Sequence, residues 1–101
     1  MLLKECATVI RSKNAGPFIV TFDLLFEESE FVKVTESGLV NPATVAAAFG
    51  ISENEVFEFG VYDFAKAIKF CIRRSISAGS PGDSDVYGAQ QHAPLLHIEA
   101  Y

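Results

Sequence analysis

The sequence predicts an α+β domain: a small, mostly antiparallel sheet of three to four strands with two to three helices on one face. Three observations carry that reading. Period-two apolar runs at residues 18–26 and 68–73, and a β-rich run at 56–62, read as strands. Gly38, Asn41-Pro42 and Gly50 punctuate two short stretches with helical apolar spacing. The chain has 101 residues, 50% of them apolar, which fits one domain over residues 1–101. A chain this size buries roughly two-thirds of its unfolded surface.

The elements follow in order. Leu2, Leu3, Cys6, Val9 and Ile10 have helical spacing, so a short amphipathic helix is expected over residues 2–12. The run Ser12-Lys13-Asn14-Ala15-Gly16-Pro17 ends it in a turn. Phe18, Val20, Phe22, Leu24 and Phe26 alternate with Thr21 and Asp23 in the first strand. Ile19 and Leu25 also place apolar groups on its second face. Ser29 is the expected cap of a helix over 30–37, with Phe31 and Val34 inward and Gly38 ending it. Asn41 and Pro42 supply the N-cap and first position of a helix that stops at Gly50. Residues 52–55 read as a turn, and strands at 56–62 and 68–73 are close enough to pair antiparallel. Residues 75–85 form a loop by composition, 86–93 a short helical turn, and 95–101 a last strand.

Composition excludes several classes. A half-apolar chain with mean hydropathy of +0.25 is too apolar for intrinsic disorder, and some of that surplus points to a partner or homo-oligomer interface. No apolar run approaches the roughly 18 residues a membrane span needs. The start Met1-Leu2-Leu3-Lys4-Glu5 lacks the apolar core of a secretory signal. Two cysteines, Cys6 and Cys71, make no disulfide framework, so a reducing cytoplasm is the expected location. Net charge is −5 and is uneven. Residues 21–63 hold nine acids and one base, while the flanks hold seven bases and four acids. This balance argues against nucleic acid. Residues 44–52 look like the start of a helix-turn-helix, but the acidic continuation Glu53-Asn54-Glu55 does not fit a recognition helix.

Chemistry-bearing residues gather where the regular patterns stop. Gly79 and Gly82 free the backbone of the long loop so that N–H groups can converge on an anion, with Arg73 and Arg74 adding charge. Neither a Walker A nor a GxGxxG pattern is present. Asp83, Asp85, His92 and His97 have the donor types of a mixed oxygen–nitrogen metal site, but the two histidines are not at i,i+4. Surface caps and ordinary surface histidines explain the same residues, and no metal is assigned. Tyr87, Gln90 and Gln91 are polar groups suited either to substrate binding or to capping. Cys71, among apolar neighbours, reads as core. No nucleophile triad can be assembled, and no cofactor is named by any motif.

Two stretches carry a family resemblance: residues 10–18, Ile-Arg-Ser-Lys-Asn-Ala-Gly-Pro-Phe, and residues 82–95, with Asp85-Val86-Tyr87-Gly88-Ala89-Gln90-Gln91-His92 at their centre. With Ala67-Ile68-Lys69 between them, they resemble a small bacterial family of uncharacterised domains. Its members look like companions of acyclic terpene utilisation proteins, beside the large protein or fused to its C-terminal end. The resemblance spans nearly the whole chain; Arg74-Ser75 departs from an expected proline-containing turn. It implies an accessory domain or small subunit of a catabolic enzyme acting on branched or unusual carboxylic acids or their acyl-CoA forms. In that setting Arg11, Ser12, Lys13 and Asn14 in the first motif would bind substrate or anion, together with Asp83, Tyr87, Gln90 and Gln91 in the second. Asp85 and His92 are the expected proton-transfer or metal-contacting pair. The alternative is a stand-alone metal- or anion-binding homo-oligomeric enzyme using Asp83, Asp85 and His92.

Overall fold

The computed structural model describes residues 1–73 and 92–101. The expected loop at 75–85, the turn through residue 91, and Arg74, Asp83, Asp85, Tyr87, Gln90 and Gln91 lie outside the described residues. The rest is α+β, as expected. Four strands, β1 (Val9–Asn14), β2 (Ile19–Leu25), β3 (Val56–Tyr62) and β4 (Ala67–Arg73), form one antiparallel sheet in the order β1-β2-β4-β3. Three helices, α1 (Leu3–Cys6), α2 (Glu28–Ser37) and α3 (Pro42–Phe49), accompany it.

Alternation in β2 sets the two faces. Val20, Phe22 and Leu24 are buried, and Phe22 stacks on Phe70 of β4 with ring centroids 5.0 Å apart. Phe49 of α3 meets Phe22 edge-on at 5.4 Å. Leu3 and Cys6 of α1, Phe31 and Val34 of α2, and Val45 and Ala46 of α3 join the same core. The three described helices thus bury their apolar sides against one face of the sheet, which is the amphipathic economy expected of two layers.

The helix ends have local causes. Asn41 Oδ1 accepts the Thr44 N–H at 3.0 Å and Thr44 Oγ1 accepts the Asn41 N–H at 3.1 Å, closing a reciprocal cap in front of Pro42. Gly38 and Gly50 end α2 and α3 in the left-handed conformation that glycine adopts at least cost. Ser29 is not the cap of α2. That helix begins at Glu28, where Glu28 and Glu30 in the first turn complement its dipole.

Two expectations are corrected. The helix expected over 2–12 spans only Leu3–Cys6, and Val9–Asn14 is instead a strand, at the edge of the sheet among the described residues. Its N–H and C=O groups pair with β2 through a hairpin that Ala15 closes, donating to the Ile19 carbonyl at 2.9 Å. Leu95–Tyr101 is not a strand. A 3₁₀ turn at Ala93–Leu95 leads into a single bridge between Leu2 and Glu99. Leu95, Ile98 and Ala100 are nevertheless buried, so this segment contributes core without a ladder.

Candidate functional site

The second face of the sheet carries the chemistry. No helix among the described residues covers it. Register places Arg11 and Lys13 of β1 opposite Asp23 and Thr21 of β2, and these opposite Lys69 and Cys71 of β4. Residues paired across antiparallel strands project to the same side. A row of charge therefore crosses the sheet.

Asp23 is the centre of that row. Its side chain is only 17% exposed and accepts the Arg11 Nε–H at 3.0 Å, while Lys69 Nζ approaches its other oxygen at 3.5 Å. One carboxylate thus ties the edge strand to the central pair. Thr21 Oγ1 donates to the Lys13 carbonyl at 3.3 Å. Arg73 lies over the Phe57 ring, 5.2 Å from its centroid.

At the other side of the sheet β3 is irregular. Its register with β4 shifts between Phe57 and Gly60, so two residues face one partner and the strand bulges. Glu58, at the bulge, has φ 51°, in the left-handed region that side chains rarely occupy. The Cys71 thiol donates to its Oε2 at 3.7 Å. Burial pushes the Cys71 thiol above its ordinary value, and the Glu58 charge and hydrogen bond push the same way. Both effects favour the protonated thiol, which is the form that donates to Glu58.

These groups border two concavities that share Lys13, Thr21 and Asp23. One, of about 310 Å³, also takes in Glu58, Tyr62, Lys69 and Cys71. The other, of about 360 Å³, is closed by Arg11 and Ser12.

The expected site residues are divided by the strand. Arg11 and Lys13 are exposed on the open face, but Ser12, 8% exposed, pairs with Phe22 on the core side, and Asn14 pairs with Val20. The alternation of a strand parts neighbours that a turn would have kept together. His92 heads the Ala93–Leu95 turn, half-buried, and its buried Nδ1 has no hydrogen-bond partner among the described residues. His97 is exposed, and neither histidine borders the two concavities. Among the described residues no three His, Cys, Asp or Glu side chains gather as metal ligands.

Asp23, Glu58, Tyr62 and Lys69 escaped the sequence reading as site residues. The alternation of β2 and β4 already placed Asp23 and Lys69 on outward faces. What it lacked was strand order, which puts them side by side.

The chain matches the model of a domain of unknown function, DUF4387, over residues 3–99. It belongs to that family. No curated protein and no solved structure matches it. The DUF4387 match runs through all four strands and both polar motifs, so the charged face described above lies within the family domain. No helix among the described residues is long and apolar enough to cross a membrane.

Proposed function

We propose that this DUF4387 chain is an accessory domain of a larger cytoplasmic catabolic enzyme, contributing its open sheet face to a cleft shared with that partner. The substrate class is a branched or otherwise unusual carboxylic acid, free or as its acyl-CoA ester. The observation that carries the reading is the asymmetry of the sheet. Every described helix packs on one face, and the other presents Arg11, Lys13, Asp23 and Lys69 with two adjoining concavities. A sheet face that no described helix covers, with fixed charges on it, suits a surface completed by another protein. Arg11 and Lys13 are placed to meet a carboxylate or phosphate, the guanidinium in two-point fashion and the ammonium as a point charge.

The proposed partner is an acyclic terpene utilisation protein. Co-expression of the two chains tests the assignment. A stable complex that turns over a branched acyl substrate, with neither chain active alone, is the expected result. Arg11→Glu with Lys13→Glu should then weaken assembly or raise KM for the acid. Failure of the chains to associate, or full activity of the large protein alone, would overturn the proposal.

A further inference from the structure

Three departures from ordinary sheet geometry fall on the same concavity. Glu58 occupies a left-handed bulge position, φ 51°, where glycine is the unstrained choice. Two residues on, Gly60 lacks the Cβ that would sit 2.7 Å from the Tyr62 hydroxyl and 2.8 Å from two of its ring carbons. The Tyr62 ring can therefore lie flush against β3 as a wall. On the far strand, Lys13 has no carboxylate within 4 Å among the described residues, although the neighbouring Arg11 and Lys69 both have one.

Lys13 and Glu58 face each other across the width of the sheet. Three strand spacings separate their backbones, roughly 14 Å, and the two side chains do not pair. The space between them is the 310 Å³ concavity, floored by Thr21 and Cys71. That volume is at the small end of ligand pockets, which run from roughly 300 to 1,000 Å³.

We infer that this concavity is a binding site for a small bifunctional acid, a hydroxy- or amino-carboxylate. Its carboxylate would be held by Lys13 and Lys69, its hydroxyl or amino group would donate to Glu58, and its carbon stem would lie along Tyr62. A simple anion is a poorer fit. Two ammonium groups, Lys13 and Lys69, are balanced in the lining by two carboxylates, Asp23 and Glu58, and Asp23 already engages Lys69 at 3.5 Å. Only a ligand that offers a donor at one end and a carboxylate at the other satisfies both ends of the site. The strain at Glu58 then has a purpose, since the bulge aims a carboxylate that a regular strand would place elsewhere. The inference rests on the carboxylic-acid reading above and narrows its substrate class.

Calorimetric titration and thermal shift of the full chain test it with hydroxybutyrate and β-alanine as probes. Propionate, ethanolamine and inorganic phosphate are the single-function controls. The bifunctional acids should bind at least about tenfold more tightly than any control. Lys13→Ala should weaken both probes, and Glu58→Gln should weaken β-alanine, each about tenfold. Glu58→Gly should raise Tm while abolishing binding, a combination that a purely structural Glu58 would not produce. Equal binding of propionate or phosphate, no binding of either bifunctional acid at millimolar concentration, or unchanged affinity in Lys13→Ala overturns the inference. No partner is present in this experiment. Lost assembly with retained binding would overturn the accessory-domain proposal alone, and the reverse would overturn this site alone.

Discussion

The ring of Tyr62 occupies the space that a side chain on Gly60 would need: a Cβ there would fall 2.7 Å from its hydroxyl oxygen. The two residues share a strand and a face, so the ring folds back along β3 over the glycine. Gly60→Ala should force Tyr62 outward and cost about 1 kcal/mol, through lost ring contacts with the strand. With Tyr62→Ala already in place, the same substitution should become neutral or stabilising, because an interior strand glycine is otherwise a cost of about 0.5–1 kcal/mol. Urea midpoints of the double-mutant cycle would show this change of sign. Equal effects in both backgrounds would mean that the ring does not depend on the glycine.

Glu58 and Lys66 share a left-handed backbone, at φ 51° and φ 50°, yet glycine should act differently at the two positions. Such a conformation costs a side-chain-bearing residue about 1–2 kcal/mol. Among the described residues Glu58 recovers little of this, through one long thiol contact. Glu58→Gly should therefore stabilise by about 1 kcal/mol. Lys66 ion-pairs with Asp63 at 3.3 Å and Glu28 at 3.8 Å and lies 5.6 Å from the centroid of Phe31. Losing these contacts offsets the relief, so Lys66→Gly should gain clearly less. Parallel denaturation curves decide between them.

Asp23 separates two cations. Asp23→Asn keeps the shape but leaves Arg11 and Lys69 facing each other across β2, at an expected cost of about 1 kcal/mol. Arg11 is 61% exposed, which keeps the figure small. Salt should narrow the gap between variant and wild type, because it screens the attraction in one and the repulsion in the other. A gap that does not depend on salt would assign the loss to packing.

What the sequence disclosed depended on whether a signal was local. The ends of α3 were legible because Asn41, Pro42 and Gly50 act within one turn of chain. Strands β2 and β4 were legible from period-two apolar runs, and β3 from its β-rich composition. The edge strand β1 was not: Arg11 and Lys13 alternate with Ser12 and Asn14, polar on both faces, while Leu2, Leu3, Cys6, Val9 and Ile10 also satisfy a helix. The bulge in β3 was hidden for a related reason. Phe57 and Phe59 look like one apolar face, but the inserted residue turns Phe57 to the open side under Arg73 and Phe59 to the core against Phe70, 5.8 Å away. The charged row itself depends on strand order, which no spacing along the chain encodes. Arg11 and Lys13 were nevertheless picked out through the first motif of the family resemblance, and both reach the open face.

The contact of Tyr101 with α2 offers a test at alkaline pH. Tyr101 donates its hydroxyl proton to Glu30 Oε2 at 2.6 Å, and Lys33 lies 5.5 Å from its ring centroid. The bond to a carboxylate resists ionisation, with burial and the Glu30 charge adding to it, and the phenol is pushed up from 10.0 to about 12. A folded value above the unfolded one means that the contribution to stability is complete below pH 10 and is lost as pH climbs towards 12. Stability should therefore fall across that window, and Tyr101→Phe should remove this part of the slope while lowering stability at neutral pH. Tyrosinate absorbance, followed beside denaturation at each pH, should show the Tyr101 phenol titrating late. If Tyr101→Phe leaves the alkaline slope unchanged, the contact with Glu30 does not persist in solution.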